Sequence, residues 1–192
     1  MHKRLYIIIL ALFVSQLVYS QFSIGVAISG IGYHQGKTET EYFKWKLSKN
    51  GKLTGFASIS ILFSYQFNDY IGIKALQSFI ISDCIGNFSG ITHIGVDLHD
   101  DIIGWKNQKN QFSMTFGPFW YYRKNWLKKK EYKPNTCFLK QSENKVWEHK
   151  FVWYGGQIEY NYYYNSHNAL TFNFLPAIPY LYTFSIGTKF KY

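Results

Sequence analysis

Cysteine is nearly absent from this chain of 192 residues, which carries only Cys84 and Cys137. Two cysteines cannot define a disulfide framework, so the fold must be held by something else. Long apolar runs are just as scarce. One opens the chain, Leu5 to Val14, and nothing after it approaches the roughly twenty apolar residues that a membrane-spanning helix needs. Any membrane insertion by the rest of the chain must therefore be by strands. Acidic residues are outnumbered 11 to 21 by lysine and arginine, for a formal net charge of +10. No internal repeat, low-complexity linker or shift in composition divides the chain, so it reads as one domain.

The opening apolar run has its own grammar. Lys3 and Arg4 precede it, and Val18-Tyr19-Ser20 follows it as a cleavage site ending on a small residue. Residues 1–20 read as a secretory signal peptide and 21–192 as the mature domain. Losing Lys3 and Arg4 leaves a charge of +8. A basic exported chain of this kind points to anionic lipid head groups rather than to nucleic acid. Export also permits a Cys84–Cys137 disulfide, although spacing alone does not show that the two meet.

What the chain has in quantity is aromatic residues, 21% of the total, set in long runs of period two. The last run is the strictest. Tyr182, Phe184, Ile186, Phe190 and Tyr192 fall on one side of an extended strand, and Thr183, Ser185, Gly187, Lys189 and Lys191 on the other. Seven further runs precede it. Their apolar faces are led by Phe22, Ile59, Ile73, Ile94, Phe112, Tyr160 and Phe172. Turn chemistry separates them at Lys49-Asn50-Gly51, Asn68-Asp69, Asn107–Asn110 and Asn165–Asn168.

Eight runs with alternately short and long connections predict an eight-stranded antiparallel up-and-down barrel, an all-β fold. Alternation alone leaves open which face points inward, and a soluble lipocalin-like ligand carrier shares the strand count. Run length favours the membrane, because several runs reach about twelve residues where soluble strands cluster near five or six. The apolar face is also too bulky for a small lumen, and aromatics gather at strand ends as interface girdles do. Pro118, after Gly117, and Gly155-Gly156 mark a bulge and a bend within strands five and six.

This polarity places Lys74, His93, Asp97, His99, Arg123, Glu159, Lys189 and Lys191 in the lumen. Buried charges must be paired, so Asp97 and Glu159 are expected to meet Lys74, Arg123 or Lys189. A metal site is not expected. His93 and Asp97 lie ~13 Å apart along their strand, and Asp97 and His99, ~7 Å apart, would need help from another strand. No cofactor is implied. Ser166-His167 falls in a turn, where turn composition accounts for it.

Most of the charge lies elsewhere. Residues 124–150 hold eight Lys and three Glu, including Lys128-Lys129-Lys130, and residues 35–55 hold five Lys and two Glu. Together they account for all of the +8. Facing outward, they would sit at the level of lipopolysaccharide phosphates.

In size, strand number and its closing aromatic strand, the mature chain resembles the small eight-stranded bacterial outer-membrane barrels of the OmpX and OmpA type. The lipid A palmitoyltransferase PagP and deacylase PagL share that size class. The resemblance implies an outer-membrane location and recognition of the C-terminal strand by the barrel-assembly machinery. Fold does not supply function. The deacylase's His-x-Ser arrangement has no counterpart here, and the palmitoyltransferase's catalytic residues find no convincing match. The leading expectation is a non-catalytic membrane protein, porin-like in architecture but with a lumen too narrow for a general porin, whose basic loops contact lipopolysaccharide or a partner. The alternative is a lipid A acyl hydrolase or acyltransferase, with His93 and Asp97 as its catalytic candidates.

Overall fold

The computed structural model describes residues 21–34, 44–50, 52–83, 85–99, 109–125, 140–141, 146–177 and 181–192. Eleven strands account for most of them: β1 (Gln21–His34), β2 (Leu53–Gln66), β3 (Ile71–Ser82), β4 (Ser89–His99), β5 (Asn110–Phe116), β6 (Phe119–Lys124), β7 (Lys140–Gln141), β8 (Trp147–Val152), β9 (Gly156–Tyr163), β10 (Asn168–Ala177) and β11 (Leu181–Lys191). All pairings are antiparallel. The sheet runs β3-β2-β1-β11-β10-β9-β5-β4, and β3 pairs with β4, so the ring closes.

The ring has eight staves, because two of them are broken. β5 and β6 share one, interrupted at Gly117-Pro118, and both pair with β4. β8 and β9 share the next, interrupted at Trp153–Gly155, and pair with β6 and β5 respectively. Proline lacks the ladder donor, so a strand can carry it only where pairing lapses. The glycines at the breaks are needed for close approach. A Cβ on Gly117 would lie 2.0 Å from the Ile94 carbonyl oxygen, and one on Gly155 would meet the Phe119 ring at 1.8 Å.

One rim is built from tight turns. Asn68 Oδ1 accepts from the amides of Tyr70 and Ile71, and Asn165 Oδ1 does the same for His167 and Asn168. Both ends of the described barrel meet there, with the Tyr192 amide donating to the Phe22 carbonyl at 2.8 Å. The opposite rim carries the connections that follow β1, β3, β6 and β10.

Strands reach further toward that loop rim than period two suggested. β1 shifts register between Ile28 and Ile31. The slip puts Ile31 and Tyr33 outward, so the strand can run on to His34. β2 begins at Leu53, ahead of the apolar run at Ala57. Its ladder is prolonged by Trp45–Leu47, where the Gly55 amide reaches the Trp45 carbonyl and the Leu47 amide the Leu53 carbonyl. Asn50 closes that turn through Ser48 and Lys52.

The two faces of the wall differ sharply. Val26, Ile28, Ile59, Phe63, Ile73, Ile81, Ile94, Val96, Phe172 and Ile186 all point out and stay exposed. Lys74, His93, Asp97, His99, Glu148, Glu159 and Lys189 point in and are buried. The lumen is not uniformly polar, however. Ala27, Leu62, Leu76, Ile80, Ile91, Phe119 and Leu175 pack together inside it. Leu62, Leu76 and Ile80 sit at inward positions, so the inner face is not marked by polarity alone.

Candidate functional site

The lumen is stoppered in layers. Nearest the turn rim, β3, β4, β9 and β11 each contribute one charge to a buried cluster. Lys74 Nζ lies 2.9 Å from Asp97 Oδ1 and 3.4 Å from Glu159 Oε2, and Lys189 Nζ lies 2.7 Å from Glu159 Oε1. Neutral groups add further hydrogen bonds. Lys74 also donates to Ser113 Oγ at 2.8 Å, Thr115 to Asp97 at 2.7 Å, and Asn161 to Glu159 at 2.8 Å. His99 Nε2 is 3.5 Å from Asp97 Oδ2, and its ring contacts the side-chain amides of Gln66 and Gln111. Two cations facing two carboxylates, with Lys74 and both acids also held by neutral hydrogen bonds, is the arrangement a low-dielectric interior tolerates.

Arg123 does not join this cluster. It lies toward the loop rim, where its Nε donates to Glu148 Oε2 at 2.9 Å. One parity carried through the sixth run would put Glu148 on the outer face. The break at Trp153–Gly155 flips the stave, so even positions face inward in β8 and odd ones in β9. The double glycine at 155–156 was the available signal. Lys191 is half-buried at the turn rim, with its Nζ 5.9 Å from the centre of the Tyr163 ring.

His93 sits between the two ionic layers with its ring stacked on Phe119, centroids 4.0 Å apart and planes at 9°. His93 and Asp97 are each fully buried inside the barrel. Asp97 is committed to Lys74 and Thr115, and both residues face away from the lipid side of the wall. No group of three or more histidine, cysteine, aspartate or glutamate side chains suited to a metal ion occurs among the described residues. Cys84, Cys137 and the Lys128–Lys130 run lie outside the described residues, as do residues 1–20.

No helix among the described residues is long and apolar enough to cross a membrane, which says nothing of a barrel. The polarity of the wall decides the matter. A closed ring satisfies its backbone internally, and this one presents apolar side chains outward and charges inward, as lipid requires. The chain is a membrane-spanning β-barrel protein.

No family model and no curated protein matches the sequence. Among solved structures it is similar to OprG from Pseudomonas aeruginosa, at 12% identity over 90% of this chain and 95% of that one, with a TM-score of 0.48. Ail of Yersinia pestis, solved in complex with the heparin analogue sucrose octasulfate, is 13% identical over 90% and 97% of the two chains, TM-score 0.46. Neisserial surface protein A is 9% identical over 90% and 97%, TM-score 0.45.

Proposed function

We propose that this protein is a non-catalytic barrel, exported by cleavage after Ser20 and inserted through its C-terminal strand by the barrel-assembly machinery, whose lysine-rich loop rim binds lipopolysaccharide phosphates. The observation that carries the reading is the separation of charge. Residues 35–55 and 124–150 carry all of the +8 that remains after residue 20. The strands that flank them, β1 with β2 and β6 with β8, open on the same rim. Lumenal charges offset one another in pairs and are out of reach of any external ligand. A rim of lysines beside a lipid-facing wall is placed to meet a polyanionic head group, each lysine acting as a point charge.

Replacing Lys128, Lys129 and Lys130 together by alanine should weaken capture of lipopolysaccharide by the purified barrel about tenfold or more, with a flatter dependence on salt. Capture equal to wild type would refute the assignment. Mass spectra of lipid A from cells with and without the protein should be identical. A gain or loss of one acyl chain would instead make the protein an enzyme.

A further inference from the structure

The lipid-facing wall is largely apolar but holds a polar cleft among the described residues. Toward the loop rim, across β3, β4, β6 and β8, a cleft of about 400 Å³ is lined by Gln77, Thr92, Trp120, Tyr122, Trp147 and His149. All six are on the outer face. Gln77 shares its side of β3 with Phe79 and Ile81, Thr92 its side of β4 with Ile94, and His149 its side of β8 with Phe151, opposite the buried Glu148.

The polar groups form a directed chain. Thr92 Oγ1 donates to Gln77 Oε1 at 2.7 Å, and Gln77 Nε2 donates to the Tyr122 hydroxyl at 2.9 Å. Gln77 Nε2 also faces the Ser78 carbonyl at 3.2 Å, which fixes the amide with its nitrogen on that side. The Tyr122 oxygen is thus the acceptor, and its own proton is left to donate into the cleft, with no acceptor among the described residues. The ring is held in place for this. It lies flat across Gly90, where an added Cβ would meet the hydroxyl oxygen at 2.3 Å, so the hydroxyl can reach over β4 to β3. Trp120 and Trp147 flank it, with ring centroids 5.7 and 6.2 Å away. Just beyond, at the rim, the Lys124 ammonium stands over Trp147, 5.7 Å from its ring centre.

A donor facing hydrocarbon is unfavourable unless the membrane supplies an acceptor. We infer that the cleft is a docking site for the lipid A part of lipopolysaccharide. An acyl chain lies between Trp120 and Trp147, its ester or amide carbonyl accepts from Tyr122, and a phosphate lies against Lys124. The occupant is a membrane lipid because only lipid reaches this face. Lipid A in particular fits because its several chains and paired phosphates match an apolar cleft capped by the cationic rim. The inference rests on the reading that the loop rim faces lipopolysaccharide.

The test is native mass spectrometry of the full barrel released from phosphatidylcholine nanodiscs containing either lipid A or phosphatidylglycerol. Wild type should retain lipid A preferentially. Tyr122→Phe, which keeps the ring on Gly90 and removes the hydroxyl, should lower retention about fivefold, the equivalent of one hydrogen bond. Gln77→Leu should do the same, with heat-modifiable gel migration showing that both variants are folded. Equal retention of lipid A by Tyr122→Phe and wild type overturns the site, even where the triple lysine variant loses binding and the rim reading survives. Equal retention of phosphatidylglycerol and lipid A by wild type overturns lipid A as the occupant.

Discussion

Lys74 is the side chain on which the lower lumen depends, because it alone touches both acids of the cluster, Asp97 at 2.9 Å and Glu159 at 3.4 Å. Removing one partner of a buried ionic set leaves an uncompensated charge, which costs more than the set itself contributes. Lys74→Met should therefore destabilise the folded barrel by about 3–5 kcal/mol. Urea unfolding in lipid vesicles, followed by heat-modifiable migration, measures this. Adding Asp97→Asn to Lys74→Met should recover a large part of the loss, since the stranded carboxylate is then gone. A single variant within about 0.5 kcal/mol of wild type, the range of ordinary surface changes, would mean that these charges remain hydrated.

The broken staves make a different demand. β5 passes into β6 hard against β4, and a Cβ on Gly117 would lie 2.0 Å from the Ile94 oxygen and 2.5 Å from the Gly95 Cα, both backbone atoms that cannot step aside. Gly117→Ala should fail to give the compact, heat-modifiable form, whereas Gly30→Ala, whose nearest atom would be 3.6 Å away, should refold like wild type. Refolding yields into vesicles compare the two, and equal yields would mean that β4 has slack the packing does not show. These elements also mark where the sequence could be read and where it could not. The eight staves were legible because period two survives wherever a wall separates lipid from lumen, and Gly117-Pro118 and Gly155-Gly156 gave away the breaks. Lys74, Asp97, Glu159 and Lys189 could be placed on the inward face by parity. What parity could not carry was anything beyond a bulge. Glu148 changes sides because the stave slips at Trp153–Gly155, and Ile31 because β1 slips after Ile28. The Thr92-Gln77-Tyr122 chain was hidden for another reason: it joins three strands, and alternation along one strand says nothing of its neighbours.

At the scale of the whole barrel, the lumen is stoppered by layers in series, with the Arg123–Glu148 pair nearest the loop rim. The ionic cluster of Lys74, Asp97, Glu159 and Lys189 lies toward the turn rim, and an apolar layer of Leu62, Leu76, Ile80, Ile91, Phe119 and Leu175 lies above it. Between the apolar layer and the serine-rich inner wall near Ser58, Ser60 and Ser78, the free volume is about 10 Å³, room for roughly one water. An eight-stranded ring has an interior just wide enough for side chains to fill, so such a lumen is closed by its own residues. Planar bilayers containing the protein should therefore show no steady porin-sized conductance. The series arrangement makes the expectation sharper. Lys74→Ala with Glu159→Ala opens only the lower layer, and Leu76→Ala with Phe119→Ala only the apolar one, so each pair alone should stay silent. All four substitutions combined with Arg123→Ala and Glu148→Ala, which clear the pair nearest the loop rim, should leak, provided that the variant still refolds into vesicles. A steady current through wild type, or through either pair alone, would show that one layer or neither holds the lumen shut. The barrel's working surface would then have to be sought in its interior rather than at its rim.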